Sequence, residues 1–523
     1  MTPKLDLYEL IHALNDGEVK TFRKEILKRR GKHTYLKVFD AIRAQEIYDE
    51  AALKEQFAGE KTLNNFSIAK KNLYEKLLDV LCQLPYHQTI ETQFDRFRQQ
   101  IAILIKKSLY KQAMDRVRKA IKVAEKLEAF KKVLDLHDLQ REIARNYLPP
   151  DNYLSLLNEL KHRDTYLREL EDNISQYKNI FNTASIAQKI PQPIRRTMLN
   201  GILAHTLMQD ESECRSVSAR LYFYRIWNHV YYVQGRDSGW KFFTERIISL
   251  LEKHQPLLSD PGKFLVYVNT ISDYGLNCIA SNEFAVALET AEKLQNIRKD
   301  IRAGDNEAMI FNRYWKLQLL YCQKLLDEKN GMGAVEKIRD GLRRFRGKVA
   351  KGDAMELIHL SAGFLLTMER SAEAIQPIME LREDRGTQVR PDLHFFSWLL
   401  FFVAHYNLGN FDVIEQQLPG AIHHFKQRRR YSAFFKICLT LFRKSVLARN
   451  KNEMMQRLKI AREALMDLFR STNDQGPLRY FHLIAWIDSR LNDVPLYNQM
   501  RKTPEKLLLN ESLVEGERPT ETA

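Results

Sequence analysis

Apolar residues recur at helical spacing in nearly every stretch of this 523-residue chain, and period-two alternation is sustained nowhere. Residues 101–123 show Ile101, Leu104, Ile105, Leu109, Met114, Val117 and Ile121; residues 434–446 show Phe434, Phe435, Cys438, Leu439, Phe442 and Val446. Spacings of three and four place such residues on one helix face, whereas a half-buried strand needs every second residue apolar. Glycine and proline, which punctuate turns and break helices, sum to 35 residues, under 7% of the chain where about 12% is usual. The chain is therefore expected to be all-α. Its length exceeds an ordinary domain several-fold and calls for several domains or one elongated repeat array.

One local pattern recurs: a helix ends, a short polar turn with Gly, Asn or Ser follows, and a second helix opens around a small or apolar residue. It ends at Ala113, Ala287, Ala334, Ala374 and Ile414, with weaker copies at Trp240 and Met455. From Trp240 onward the spacings are 47, 47, 40, 40 and 41, and the gap from Ala113 to Trp240 is 127, about three such units. A Gly or Asn at a helix end takes the left-handed conformation that reverses the chain. The small residue one turn later lets the two helices approach closely, so that stacked hairpins share a continuous core.

These turns resemble the turn and second helix of tetratricopeptide repeats, roughly G-x-aromatic-x-x-A. The match is best at Gly409–Phe411, at Asn282–Phe284–Ala287 and at Ser108–Tyr110–Ala113, with Ala120 at a second small position. It spans about residues 95–470. The spacing exceeds that family's 34 residues, the first-helix Trp is not regular, and the closing Pro is mostly missing. The resemblance implies a right-handed solenoid of stacked helical hairpins, and other helical-hairpin solenoids with repeats of about 40 residues stay open. On this reading residues 1–90 form an N-terminal helical cap or small domain of four or five helices, ending in a strong one from Leu63 to Leu84. Residues 91–500 form the solenoid, and residues 501–523 an acidic, disordered tail. Breaks are expected at Leu148–Asn152, with Asp151 or Asn152 capping the next helix, and at Ile190–Pro193.

The stretch Met1–Asp16 carries Lys4, Asp6, Glu9 and Asp16 and has no signal-peptide core. The most apolar run, Phe395–Tyr406, is too short for a bilayer span of about 20 residues and reads as a buried helix. Cys82, Cys214, Cys278, Cys322 and Cys438 are odd in number and widely spaced, which speaks against a disulfide framework or thiolate zinc site and for a reducing cytoplasm.

Searches for chemistry return little. Gly341–Lys348 has five residues between its glycines rather than the phosphate loop's four, and Val349 replaces the metal-binding hydroxyl. His423 and His424 are adjacent and point to different sides of a helix; His405 reads as an ordinary core or surface residue. No G-x-S-x-G elbow or H-E-x-x-H occurs. The expectation is no catalytic residue, no cofactor, no metal and no enzyme.

Charge is the informative feature. The chain carries 82 Lys and Arg against 66 Asp and Glu, a net +16. Between Glu415 and Glu453 no acid occurs, while Lys426, Arg428, Arg429, Arg430, Lys436, Arg443, Lys444, Arg449 and Lys451 contribute +9. A smaller cluster comprises Arg339, Arg343, Arg344, Arg346, Lys348 and Lys351, opposed by Asp340. A third run, Lys28, Arg29, Arg30 and Lys32, suits a helix C-terminus through its dipole. In a solenoid the first two clusters would join into one stripe, attractive to acidic peptides or phosphates. The leading expectation is a non-enzymatic scaffold that binds an acidic protein or peptide through Arg339, Arg343, Arg344, Arg346, Lys348, Lys426, Arg428, Arg429, Arg430, Lys436, Arg443 and Lys444. The alternatives are a nucleic-acid or ribosome-associated protein using the same stripe, and a peptide-sensing regulator with residues 1–85 as output domain.

Overall fold

A computed structural model describes every residue except 1–4, 15, 28–32, 46–47, 58–65, 83–89, 188–189, 191–192, 235–236, 301–304, 347, 384–388, 428–431, 473–479 and 503–523. The described residues form twenty-four α-helices and no strand, as the periodicity requires. Residues 503–523 of the expected tail, the run Lys28–Lys32 and Arg428–Arg430 lie outside the described residues, whereas Arg501 and Lys502, placed in that tail, end a helix. The chain divides into two compact units, one made of residues 1–86 with 275–523 and the other of residues 87–274.

The first unit opens with a bundle of five helices: α1 (Asp6–Ala13), α2 (Asp16–Leu27), α3 (His33–Ala44), α4 (Glu50–Gln56) and α5 (Phe66–Cys82). Phe22, Val38, Phe39, Ile42, Leu73 and Leu77 are fully buried at its centre. The Phe22 and Phe39 rings stand 5.0 Å apart.

The second unit runs α6 (Ile90–Lys106), α7 (Tyr110–Lys126), α8 (Phe130–Tyr147), α9 (Pro150–Ser185), α10 (Ile194–Leu203), α11 (Val217–Gln234) and α12 (Asp237–Lys253). Helices α6 to α9 pack in sequence, and α11 packs on both α9 and α12. The break at 148–152 is present, but its cap differs from the expectation. Pro149 is the capping residue and Pro150 takes the first helical position, where a missing N–H removes no bond. Asp151 therefore sits inside the first turn. Helix α9 then runs for 36 residues.

Helix α13 (Pro261–Ala280) carries the chain across the boundary to α14 (Phe284–Asp300), α15 (Asp305–Leu325), α16 (Glu328–Arg344), α17 (Lys351–Thr367) and α18 (Ser371–Glu383). There follow α19 (Pro391–Asn407), α20 (Phe411–Gln427), α21 (Ala433–Val446), α22 (Lys451–Thr472), α23 (Leu483–Leu491) and α24 (Leu496–Lys502). The pairs α15/α16, α17/α18, α19/α20 and α21/α22 are hairpins, and their first helices contact one another in order, α15 to α17 to α19 to α21. Helix α19 holds the apolar run 395–406 and is buried nearly all round, from Leu393 to Ala404. Among the described residues no helix is long and apolar enough to cross a membrane.

The turns explain the hairpins. Ser108, Glu128, Asn282, Leu326, Glu369 and Gly409 all have φ between 52° and 74°, and each lies within two residues of a helix's end. At each, paired backbone bonds close the helix: Arg370 N–H reaches the Leu365 carbonyl at 2.8 Å and Glu369 N–H the Leu366 carbonyl at 3.2 Å. The same pair recurs at the other five turns. This geometry satisfies carbonyls that the helix end would otherwise strand. Gly, Asn or Ser were expected here, as at Gly409, Asn282 and Ser108; Leu326, Glu128 and Glu369 occupy the rest.

Five residues beyond each left-handed position stands a buried residue: Ala113, Val133, Ala287, Gly331, Ala374 and Ile414. The anchor expected at Ala334 is thus Gly331, three positions earlier, which makes the spacings from Ala287 onward 44, 43 and 40. A Cβ on Gly331 would meet Cζ of Phe364 at 2.0 Å, so only glycine lets α16 and α17 approach this closely.

Candidate functional site

Helix α16 begins with Asp327, whose carboxylate accepts the Asn330 N–H at 3.0 Å, and ends with cations in its last turn, where the dipole favours them. Phe345 closes it and packs on Phe311, ring centres 5.1 Å apart. That anchoring fixes which way the basic residues around it face. Arg339 and Arg343, four apart, lie on one side of α16, and Arg346 follows in the turn. Together they line a cavity of about 690 Å³ within the first unit.

Its floor is apolar, with Met332, Val335, Ile338, Leu342, Val349 and Ile358 from α16, α17 and the turn between them. Helix α18 forms a further wall through Ala372, Gln376 and Pro377. The N-terminal bundle completes the rim with Leu14 and Arg43. Lys351, at the first position of α17, also lines the cavity, and its ammonium donates to the His12 carbonyl at 3.2 Å, tying the bundle to α17. Five cations therefore surround an apolar floor, accompanied by the acids Glu336, Glu373 and Glu380. Arg339 stands 4.0 Å from Asp340. Arg343 is exposed and pairs with no acid among the described residues.

The structure brings only part of the expected residue set together. Arg339, Arg343 and Arg346 share the groove. Arg344 turns away to Glu307, 3.2 Å distant, with its guanidinium 5.1 Å from the Phe345 ring centre. Lys348 is exposed and does not line the cavity. Lys426 on α20 and Lys436, Arg443 and Lys444 on α21 are exposed as well, and none of them contributes to it. Conversely, Arg43 carried no signal in the sequence: with Lys37 it is one of two scattered cations in an ordinary amphipathic helix, and only the docking of the bundle brings it to the rim.

Other titratable clusters have structural partners. In the second unit His137 donates from Nδ1 to Asp164 at 2.6 Å, and Arg141 pairs with the same carboxylate and, at 2.8 Å, with Asp138. Burial pushes the Asp164 carboxyl up, but the bonds from His137 and Arg141 outweigh it and hold the group below the usual carboxylate range. This cluster ties α8 to α9. In the first unit His359 donates from Nε2 to the Tyr480 carbonyl at 3.0 Å and is pushed down to about 4 by burial. None of the five cysteines is in a disulfide; Cys214, Cys278, Cys322 and Cys438 are buried and Cys82 is exposed.

No family model, no curated protein and no solved structure matches this chain. The groove itself is the feature that bears on function.

Proposed function

We propose that the chain is a non-enzymatic interaction platform built of tetratricopeptide-like hairpins, and that its groove binds an acidic, amphipathic segment of a partner protein. The observation that carries this reading is the pairing of an apolar floor with the rim formed by Arg43, Arg339, Arg343, Arg346 and Lys351. Apolar side chains of the partner bury against Val335, Ile338 and Leu342, while its carboxylates meet guanidinium groups through charge-assisted hydrogen bonds. A nucleic acid suits the groove less well. Its phosphates could meet the rim, but its sugar-phosphate backbone has no apolar side chains to bury against Val335, Ile338 and Leu342.

Panning a random peptide library against the full chain tests the reading. Selected sequences should combine Asp or Glu with Leu, Ile or Phe, and Arg339→Glu with Arg343→Glu should abolish their binding. Selection with no acidic bias, or peptides indifferent to the double variant, overturns it.

A further inference from the structure

Helix α18 carries one cation, Arg382, on a different side from the residues that line the groove. The Arg382 guanidinium lies 3.7 Å from the ring centre of Trp398 and 4.0 Å from that of Phe401, both on α19. Its polar contacts are meagre. One terminal nitrogen reaches the Met379 sulfur at 3.6 Å and the other the Gln417 amide oxygen at 3.0 Å. A thioether is a weak acceptor and the amide is neutral. Among the described residues no carboxylate is hydrogen-bonded to Arg382 or paired with it at close range; Glu383 acts on it only from farther away. Its Nε and the Trp398 indole nitrogen are both sealed from solvent without an acceptor.

A half-buried guanidinium with no carboxylate in contact is expensive to keep, and the more distant charge of the neighbouring Glu383 offsets burial only in part. Stacking on two rings returns part of that cost, but stacking needs no charge, and an apolar side chain of equal volume would fill the same slot. We propose that Arg382, held flat between Trp398 and Phe401, is a receptor for one carboxylate of an acidic peptide. The terminal edge of the fork donates to the two oxygens, and Gln417 flanks it from α20. Met379, Arg382, Trp398, His405 and Gln417 are each partly open to solvent, so the edge is reachable.

The local charge selects the anion. His405, whose ring stands 4.3 Å from that of Phe401, is pushed below its ordinary value by burial and by Arg382 and stays neutral near pH 7. One cation and one neutral imidazole balance a singly charged carboxylate, whereas a phosphate dianion would be left half compensated. The site is separate from the groove on α16, sharing no residue with it.

Indole-labelled full chain provides the test, with the Trp398 resonance identified through Trp398→Phe. Titration with an acetylated, amidated pentaglutamate peptide should shift that resonance saturably, and inorganic phosphate at the same ionic strength should not. Arg382→Lys keeps the charge but loses the flat stack and should weaken the peptide at least tenfold; Arg382→Gln should abolish its effect. A Trp398 resonance unmoved by the peptide, an equal response to phosphate, or an unchanged affinity in Arg382→Gln overturns the proposal. Arg339→Glu with Arg343→Glu should leave the Trp398 response intact, so a failure of the groove reading is distinguishable from a failure here.

Discussion

Glu128 accepts the backbone N–H of Ser218, 90 positions away, at 2.6 Å, while its other oxygen takes the N–H of Val217 at 3.0 Å. Val217 and Ser218 open α11, so the helix is capped by a residue from the turn between α7 and α8. Glu369 does the same in the other unit, accepting the Leu496 N–H at 2.7 Å at the start of α24 and pairing with Arg490. Both glutamates are left-handed, at φ 52° and 60°. A side chain in that region costs about 1–2 kcal/mol. Here the capped helix, with a carboxylate at the positive end of its dipole, offsets that strain.

Exchanging left-handed residues for glycine should therefore have opposite effects at two equivalent turns. Ser108, at φ 59°, has no such cap to lose, and Ser108→Gly should stabilise by about 1 kcal/mol through relief of strain. Glu128→Gly gains the same relief but strands two N–H groups and should be neutral or destabilising, while Glu128→Ala loses the cap and keeps the strain, at about 1–2 kcal/mol. Urea denaturation of the three variants ranks them. Equal gains for both glycine substitutions would show that the remote cap contributes nothing.

Two glycines on α16 make an internal control for close helix packing. Gly331→Ala drives a methyl into the Phe364 ring and should destabilise by about 1–3 kcal/mol. A Cβ at Gly333 meets nothing within 4 Å, so Gly333→Ala should be neutral or stabilise by up to about 1 kcal/mol through helix propensity. Thermal denaturation should move in opposite directions for the two. A Gly331→Ala protein as stable as Gly333→Ala would mean that α16 and α17 are not locked at this distance.

These cases show what the sequence made legible. Helical periodicity and the scarcity of Gly and Pro are local signals, and they gave the all-helical class and the buried run in α19. The turns were read through glycine, asparagine and serine, which suits Gly409, Asn282 and Ser108, but the backbone imposes the same conformation on Leu326 and Glu369. That happens because packing on either side of the turn leaves the chain one way to reverse. The repeat position at Gly331 was missed for the same reason, since Ala334 is also small and buried, and only the contact with Phe364 separates them. The groove was half legible: charge density marked Arg339, Arg343 and Arg346. Arg43 and the caps by Glu128 and Glu369 depend on contacts between remote segments, which no local pattern encodes.

Acid should loosen the first unit before its carboxylates titrate. Burial holds His359 at about 4 against an ordinary value of 6.5, and its Nδ1 has no acceptor with which to share a second proton. The unfolded chain thus binds that proton at higher pH than the folded one. The resulting stability is fully present above about pH 6.5 and is lost progressively as pH falls towards 4, by up to about 3 kcal/mol. Asp392, which accepts from the Tyr480 hydroxyl at 2.9 Å, is pushed up by burial but held below its usual range by Arg390 and Tyr480, so it does not titrate in this window. His359→Gln keeps a donor for the Tyr480 carbonyl and removes the titration. Urea midpoints measured from pH 7 to 4 should fall less steeply in the variant; identical slopes would place the acid sensitivity elsewhere.

Adjacent arginines on α16 separate binding from folding. Arg343 lines the groove and has no acidic partner among the described residues, whereas Arg344 pairs with Glu307 outside it. Arg343→Glu should leave the denaturation midpoint within about 0.5 kcal/mol of the parent and weaken an acidic amphipathic peptide at least tenfold, because the new carboxylate faces those of the ligand. Arg344→Glu should instead cost about 0.5–1 kcal/mol of stability, since an exposed pair is replaced by like charges, with peptide affinity nearly unchanged. Raising salt should weaken the parent complex only modestly, because the apolar floor contributes a term that salt does not screen. Should Arg344→Glu impair binding as much as Arg343→Glu, the general positive field of α16 would be responsible, and the geometry of the groove would drop out of the account.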